Sequence, residues 1–191
     1  PSIRVDSDTS DVSDMGPSIT VDSLGNVYIA WQKGLWDTTE IHFARSTDGG
    51  NNWSDPVVVN DSTAGNHSDP SLVSDPAGNL YLAWTDTRNG DADIYFARST
   101  DQGLTWTQPN VKVNDSAGGV QDRASLDIDT AGNIYIAWTD YRGDTIPNIY
   151  FAKSADGGAS WTAPSIQVDD SSANYKVGPS LALDRNGNIA V

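Results

Sequence analysis

The sequence predicts an all-β fold made of a four-strand unit that recurs along the chain. Three observations lead to this prediction. Of the 26 acidic residues among 191, only Glu40 is a glutamate, and an excess of aspartate is typical of turns rather than long helices. Seven Trp and seven Tyr supply the bulky side chains that favour sheets. An octapeptide with the pattern Ser-x-Asp-x-Gly-x-x-Trp occurs three times.

Each octapeptide belongs to a longer unit of four strand-like runs. In the first unit these runs are PSITVD, NVYIAW, IHFARS and PVVVND, and the unit returns after 53 and then 55 residues. Four short strands per repeat are the pattern of a β-propeller blade. We therefore expect four-stranded antiparallel blades, with the apolar middle strands covered on both faces by neighbouring blades. The predicted blades are residues 17–60, 70–114 and 124–169, with partial blades at 1–6 and 179–191.

Two kinds of turn join the predicted strands. Asp-x-x-Gly-Asn follows the first strand in all four copies, and we expect its Gly and Asn to supply the positive φ values of a tight hairpin. The octapeptide follows the third strand. There the Ser and Asp side chains are expected to bond backbone N–H groups, while Gly takes the strained position and Trp packs into the blade. The pattern thus favours a structural role for Ser46, Asp48, Gly50 and Trp53, for Ser99, Asp101, Gly103 and Trp106, and for Ser154, Asp156, Gly158 and Trp161.

The octapeptide closely resembles the Asp-box, or BNR repeat, of the sialidase superfamily, and the resemblance covers nearly the whole chain. It implies a sialidase-like propeller whose Asp-boxes lie away from the active site. It does not imply activity, because Asp-box propellers serve many purposes. A sialidase would also need an Arg-Ile-Pro motif, an arginine triad, a Tyr nucleophile with a Glu partner and an Asp acid/base. Arg-Ile-Pro is absent and Glu40 occupies an ordinary repeat position, so a complete sialidase site is not expected within these residues.

The amino-acid composition argues against several classes of binding partner. A net charge of −15 and a pI near 4.1 argue against nucleic acid and against an anionic membrane surface, since both need clustered Lys and Arg. No apolar run approaches the roughly 20 residues of a membrane span. The lack of cysteine excludes disulfides and thiolate metal sites. We expect an extracellular or cell-surface protein without a cofactor. Calcium remains possible at Asp86, Asp91 and Asp93, although their spacing is not that of an EF-hand loop.

The order of the strands divides the turns between two ends of the blades. The Gly-Asn turns and the octapeptides share one end, the turn rim. The second-to-third loops and the links between blades share the other end, the link rim, where a ligand is expected. Two blades carry Trp-Thr-Asp-x-Arg at the link rim, which pairs Asp86 with Arg88 and Asp140 with Arg142. Either each pair orders its own loop, or the arginine is presented to a carboxylate or sugar hydroxyl of a ligand.

Further candidates lie on the same rim. Trp36 is either a stacking platform for a sugar ring or loop packing. His67 is either a solvated loop side chain or a functional group. Arg123 replaces the Gly or Asp of the other copies, and function on a symmetrical scaffold tends to lie where the repeat is broken. The links also contribute Asp14, Asp69 and Asp122.

Two functions stay open from the sequence. The first is a non-catalytic module that binds a glycan or a protein through the link rim or serves in structure and assembly. The second is a fragment of a sialidase-like glycoside hydrolase whose catalytic residues lie mostly elsewhere. Three blades and two partial ones are fewer than the four to eight or so that close a ring. We therefore expect either the remainder of a larger propeller or self-association through open blade edges.

Overall fold

The computed structural model describes residues 3–6, 12–35, 37–115, 118–142, 146–170, 175–184 and 187–191. These residues form strands and turns, and none of them belongs to a helix that could cross a membrane. The strands are β1 (Ser13–Val21), β2 (Val27–Leu35), β3 (Thr38–Ser46), β4 (Val57–Val58), β5 (His67–Ser74), β6 (Leu80–Asn89), β7 (Asp91–Ser99), β8 (Val111–Lys112), β9 (Gln121–Ile128), β10 (Ile134–Asp140), β11 (Asn148–Ser154), β12 (Ile166–Gln167), β13 (Ala182–Leu183) and β14 (Ile189–Ala190).

The strands form three four-stranded antiparallel sheets in the orders β1-β2-β3-β4, β5-β6-β7-β8 and β9-β10-β11-β12, followed by the pair β13-β14. The predicted all-β propeller fold is therefore confirmed. The first strands begin at Ser13, His67 and Gln121, a few residues ahead of the predicted blade starts. Residues 3–6, expected to form an outermost strand, are described by the structure and do not form a strand.

The core lies between successive sheets, as the double-sided apolar runs predict. On β6, the side chains of Leu80, Leu82 and Trp84 pack against the first sheet. The alternate side chains, Tyr81 and Ala83, pack against the third sheet. Side chains alternate across a strand, so a strand buried on both faces is apolar at every position.

The innermost strands of successive sheets lie side by side and are fastened by serine hydroxyls. The N–H of Leu72 donates to Ser18 Oγ at 3.0 Å, and the N–H of Leu126 donates to Ser71 Oγ at 3.1 Å. The N–H of Leu181 repeats the contact with the serine of β9 at 2.9 Å. As a result, the link-rim ends of β1, β5 and β9 are neighbours, and their side chains can form one site.

Candidate functional site

The turn rim brings both kinds of turn together, as expected. A Cβ atom placed on Gly78 would lie 3.3 Å from Asp22 Oδ2 and 3.8 Å from Gln102 Cγ. The Gly-Asn turns of two blades and one octapeptide therefore meet at this point. Gly78 has φ of +82°, which glycine adopts without the steric cost that other residues incur.

All three octapeptides have the same internal hydrogen bonds. The Ser Oγ donates to the Asp Oδ1 at 2.7–2.8 Å and accepts the N–H of the glycine at 2.8–2.9 Å. The same Asp Oδ1 accepts the N–H of the residue before Trp at 2.9 Å. Hydrogen bonds led by those from Asn52 lower the pKa of Asp48 to about 2, and bonds led by those from Ser160 lower the pKa of Asp156 to about 2. In each octapeptide, Ser and Asp are occupied in fastening the hairpin.

The octapeptides also join one blade to the next, a contact that the sequence reasoning missed. The ring of Trp106 packs edge-on against Phe43 of the preceding sheet, with ring centroids 5.2 Å apart. A Cβ atom on Gly103 would lie only 2.1 Å from Phe43 Cε1. Trp161 and Gly158 make the same contacts with the phenylalanine of β7. Glycine is needed in these turns for the approach of the neighbouring ring as well as for the positive φ.

On the link rim, the Trp-Thr-Asp-x-Arg motif of the second sheet is an interlocked cluster. The carboxylate of Asp86 is fully buried and accepts the Trp84 Nε1–H at 2.9 Å and the Arg88 Nη2–H at 2.6 Å. Arg88 also donates to Asp61 in the preceding link at 2.5 Å and lies 4.1 Å above the ring centre of Tyr95. Burial by itself would lower the pKa of Arg88, but the hydrogen bonds to the two carboxylates raise it.

The third sheet repeats this cluster with equivalent partners. Asp140 accepts the Trp138 Nε1–H at 2.9 Å and the Arg142 Nη2–H at 2.6 Å. Arg142 donates in turn to Asp115 at 2.9 Å and lies 3.9 Å above the ring centre of Tyr150. In both sheets the arginine is held between two carboxylates and an aromatic ring.

The first sheet lacks the aspartate of the Trp-Thr-Asp-x-Arg motif, and another residue accepts the tryptophan N–H in its place. Lys33 stands where the later sheets have Asp86 and Asp140, and it pairs with Asp6. The Trp31 Nε1–H is accepted at 3.0 Å by Asp14, which lies opposite Lys33 in the β1–β2 register. Asp14 thus takes over a contact that elsewhere belongs to the second strand. Trp36, the proposed stacking platform, lies outside the described residues.

His67 is not a solvated loop side chain, because its exposed fraction is 0%. It is the first residue of β5, opposite Asp86 in the β5–β6 register. Its Nδ1 lies 2.6 Å from the carbonyl oxygen of Thr39 in the preceding sheet, and its Nε2 lies 3.3 Å from Asp86 Oδ2. Gln121 holds the equivalent place in the third sheet, opposite Asp140. The imidazole therefore bridges two sheets.

At the inner end of the link rim, the first strands share a bulge whose central residue has a left-handed backbone. Register shifts mark it in all three sheets. The residues at this place are Gly16, Asp69, Arg123 and Gly178, with φ between +51° and +66°. Two of the four copies carry an exposed charged side chain where the others have glycine. Left-handed backbone at a residue other than glycine is uncommon and is found preferentially at functional sites.

Asp122 lies next to this bulge and has an unusual environment. Its Oδ1 is buried without a hydrogen-bond partner. Burial raises the pKa of Asp122; the positive charge of Arg123 is the next largest effect and lowers it, the negative charge of Asp69 raises it by less, and a hydrogen bond with the side chain of Thr139 lowers it. Burial and the charge of Asp122 raise the pKa of Tyr141. We call Asp69, Asp122, Arg123 and Tyr141 the inner-rim cluster.

Two of the three residues considered for calcium are engaged by other groups. Asp86 serves the Trp–Asp–Arg cluster, and Asp93 Oδ1 pairs with Lys112 at 2.6 Å and accepts a hydrogen bond from Asn114 at 2.9 Å. Asp91 is exposed. In the part of the chain that the structure describes, no group of three or more acidic, histidine or cysteine side chains is arranged to hold a metal ion.

Comparisons with known proteins give similarity of fold. No family model and no curated protein matches the sequence. The chain is similar to a protein of unknown function from Dyadobacter fermentans, with a TM-score of 0.72, 18% identity, and coverage of 97% of this chain and 63% of that one. It is also similar to the Hadza microbial sialidase Hz136, with a TM-score of 0.62, 19% identity, and coverage of 78% of this chain and 36% of that one. A third similar structure is an α-L-arabinanase of Penicillium chrysogenum, with a TM-score of 0.63, 18% identity, and coverage of 91% of this chain and 57% of that one. The chain thus spans less than two thirds of the length of each.

Proposed function

We propose that this propeller binds glycans through the inner-rim cluster and acts as an extracellular, non-catalytic binding module. The observation that carries the proposal is the pair of charged residues, Asp69 and Arg123, at bulge positions where the flanking copies have glycine. Side chains exposed at adjoining strand ends can donate to and accept from the hydroxyl groups of one sugar. The similarity in fold to a sialidase and to an arabinanase is consistent with a carbohydrate ligand.

The paired arginines have a different role in this proposal. Arg88 and Arg142 already make two carboxylate contacts each, so we assign them to ordering the loops that surround the cluster. The octapeptides are assigned to fastening hairpins and blades on the opposite rim, in keeping with their resemblance to Asp-boxes. Glycan binding would then depend on the few residues of the inner-rim cluster, whereas the stability of the fold would depend on the paired arginines and the three octapeptides.

Glycine substitutions test the proposal cleanly. Asp69→Gly and Arg123→Gly remove each side chain but restore the residue that Gly16 and Gly178 show to be compatible with the bulge, so the fold is retained. On an array of immobilised glycans, each variant should bind its best ligand about tenfold more weakly or worse, because a hydrogen bond to a charged group is lost. Leu104→Ala, an exposed change on the turn rim, should leave binding as it is. Full binding by both glycine variants would contradict the proposal.

A glycoside hydrolase remains the second candidate, and Asp122 is the observation that favours it. A carboxyl group whose pKa is raised and that lies near a second carboxylate is suited to general acid catalysis. Hydrolysis of chromogenic glycosides that is abolished by Asp122→Asn, with glycan binding retained, would establish this alternative. Binding without turnover would leave the non-catalytic module.

A further inference from the structure

We propose that an apolar groove beside β14 binds a β-hairpin of another polypeptide, one that carries the octapeptide pattern Ser-x-Asp-x-Gly-x-x-Trp. This inference goes beyond glycan binding, because the groove lies between the third sheet and the pair β13-β14 and not at the inner-rim cluster. It depends on how the two complete interfaces between sheets are filled and on what the third interface lacks.

Each complete interface is closed by the third strand and the octapeptide of the following sheet. An apolar cluster joins Phe43 and Val59 of the first sheet to three residues of the second, Tyr95, Ala97 and Trp106. The next interface repeats the arrangement, with Phe96 and Val113 on one side and, on the other, Tyr150, Ala152 and Trp161. In both interfaces the phenylalanine is 1% exposed and the valine at most 5%. The third strand and the octapeptide thus keep these side chains from water.

The third interface contains only the first-strand part of this arrangement. The cluster on the outer face of the third sheet includes Leu181 and Leu183 of β13 and, among the described residues, none from the third strand or octapeptide of a following sheet. Phe151, the equivalent of the two buried phenylalanines, is only partly buried, and Val168 is 43% exposed. A groove of about 380 Å³ lies there, which we call the trailing groove, and its lining is wholly apolar: Phe151, Ile166, Val168, Ile189 and Val191.

The strand edge beside the trailing groove is open as well. In the second sheet β6 pairs with both β5 and β7, whereas β14, in the part of the chain that the structure describes, pairs with β13 alone. An edge with unpaired backbone groups can accept an extended segment of another chain. Leu80 lies opposite Ser99, the first residue of an octapeptide, and Ile189 holds the place of Leu80 in its own repeat. A strand paired with β14 in this register would therefore bring an octapeptide to the groove.

Strand pairing and side-chain packing together define the partner. In the complete interfaces the octapeptide Trp lies edge-on against the phenylalanine of the preceding sheet, with ring centroids 5.2 and 5.3 Å apart, and Phe151 offers the same ring. The hydrogen bonds of the second octapeptide run from Ser99 and Asp101 to groups of the octapeptide itself, so its turn does not depend on a parent sheet. The partner is a hairpin with an apolar third strand, an octapeptide and a fourth strand, and its Trp is the anchor in the groove.

A synthetic peptide of residues 91–113, which spans β7, the second octapeptide and β8, tests the proposal. Titration calorimetry with the purified chain should show one saturable site. Trp106→Ala in the peptide should weaken binding at least about tenfold, because the anchoring indole is lost, whereas Leu104→Ala, at a position that is 64% exposed in the second sheet, should leave binding unchanged. In the protein, Ile189→Lys places a charge in the groove and should weaken binding at least about tenfold. Leu24→Lys, an equivalent change at an exposed site of the turn rim, should not.

A double-mutant cycle identifies the contact. Phe151→Leu removes the ring that the indole meets, so the Trp106→Ala peptide should lose only about threefold in affinity on this variant. No saturable binding at about 1 mM peptide, or equal affinities of the Trp106→Ala and unchanged peptides, would overturn the inference. Light scattering tests a second copy as the occupant. A dimer that Ile189→Lys converts to a monomer, together with failure of the peptide to bind, would assign the groove to that copy and overturn the hairpin.

Discussion

Alanine substitutions in the three octapeptides test whether their glycines serve the turn alone or the contact between blades. Gly50, Gly103 and Gly158 have nearly the same backbone, with φ of +90°, +83° and +90°. Their surroundings differ. A Cβ on Gly103 or Gly158 would lie 2.1 or 2.0 Å from a phenylalanine ring of the preceding sheet, whereas a Cβ on Gly50 would lie no closer than 3.9 Å, to Trp53. The chain therefore contains its own control.

The expected magnitudes follow from two separate costs. A left-handed backbone costs a residue other than glycine about 1–2 kcal/mol, and all three variants incur this cost. Phe43 is 1% exposed, so its ring cannot move away, and forcing a methyl group into a packed contact costs about 1–3 kcal/mol more. Gly103→Ala and Gly158→Ala should lower the free energy of unfolding by about 2–5 kcal/mol, and Gly50→Ala by about 1–2 kcal/mol.

Urea unfolding followed by tryptophan fluorescence measures these free energies. A double-mutant cycle with Phe43→Leu makes the test specific, since the smaller side chain leaves room for the methyl group. The loss from Gly103→Ala should then be smaller in the Phe43→Leu background, with a coupling energy of about 0.5 kcal/mol or more. Equal losses at all three glycines, or additivity in the cycle, would refute the reasoning and leave the turn conformation as the sole reason for glycine.

Three further predictions concern the link rim and the acid limit of stability. His67→Gln, which installs the side chain that Gln121 has at the next interface, should cost less than about 1 kcal/mol in urea unfolding. His67→Ala should cost about 3 kcal/mol, because the carbonyl of Thr39 loses the hydrogen bond that it accepts from Nδ1 and a cavity is left in a fully buried place; similar losses in the two variants would contradict the bridging role. Arg88→Ala should lower the free energy of unfolding by about 3–5 kcal/mol, because Asp86 would stay buried without its cation; a stable variant with weakened glycan binding would place Arg88 in the binding site. Hydrogen bonds led by those from Ser160 lower the pKa of Asp156 from 3.8 to about 2, so its stabilising contribution is complete above about pH 4 and is lost as the pH falls toward 2. Asp156→Asn should therefore flatten the decline in stability over that range, as measured by urea unfolding at each pH, and an unchanged slope would count against this contribution.

Local features were the ones that the sequence predicted well. The strand runs, the two kinds of turn and the hydrogen bonds within the octapeptide all involve residues close together in the chain. Even there, one detail was wrong. Positive φ occurs at Gly25 of the Gly-Asn turn but not at Asn26. Asn26 instead donates its N–H and its side-chain amide to Asp22, at 3.0 and 2.8 Å.

The apolar packing between blades was predicted, but the individual polar and aromatic contacts between them were not, because the sequence of one repeat does not show which residues of the next repeat it meets. His67 was assigned to a loop since the apolar run begins at Pro70, yet β5 starts at His67 itself and the bulge shifts its register. Aligning the repeats contained a usable signal. The residue at this position is polar in every repeat and lies opposite a charged residue on the second strand, the pairs being Asp14 with Lys33, His67 with Asp86, and Gln121 with Asp140.

At the bulge of the link rim, the side chain varies between copies while the backbone stays the same: Gly16, Asp69, Arg123 and Gly178 all have a left-handed backbone. The backbone of the bulge is fixed by the preceding sheet, since the N–H of Arg123 donates to Thr85 Oγ1 at 3.2 Å and that of Gly178 to Thr139 Oγ1 at 3.0 Å. The side chains of Trp, Thr, Asp and Arg in the neighbouring motif are all used in such contacts and cannot change freely. Glycine adopts the left-handed backbone of the bulge without strain, whereas any other residue incurs a steric cost that an exposed side chain does not offset by packing. In the proposed function, Asp69 and Arg123 incur that cost with exposed side chains, and contacts with a bound glycan would offset it.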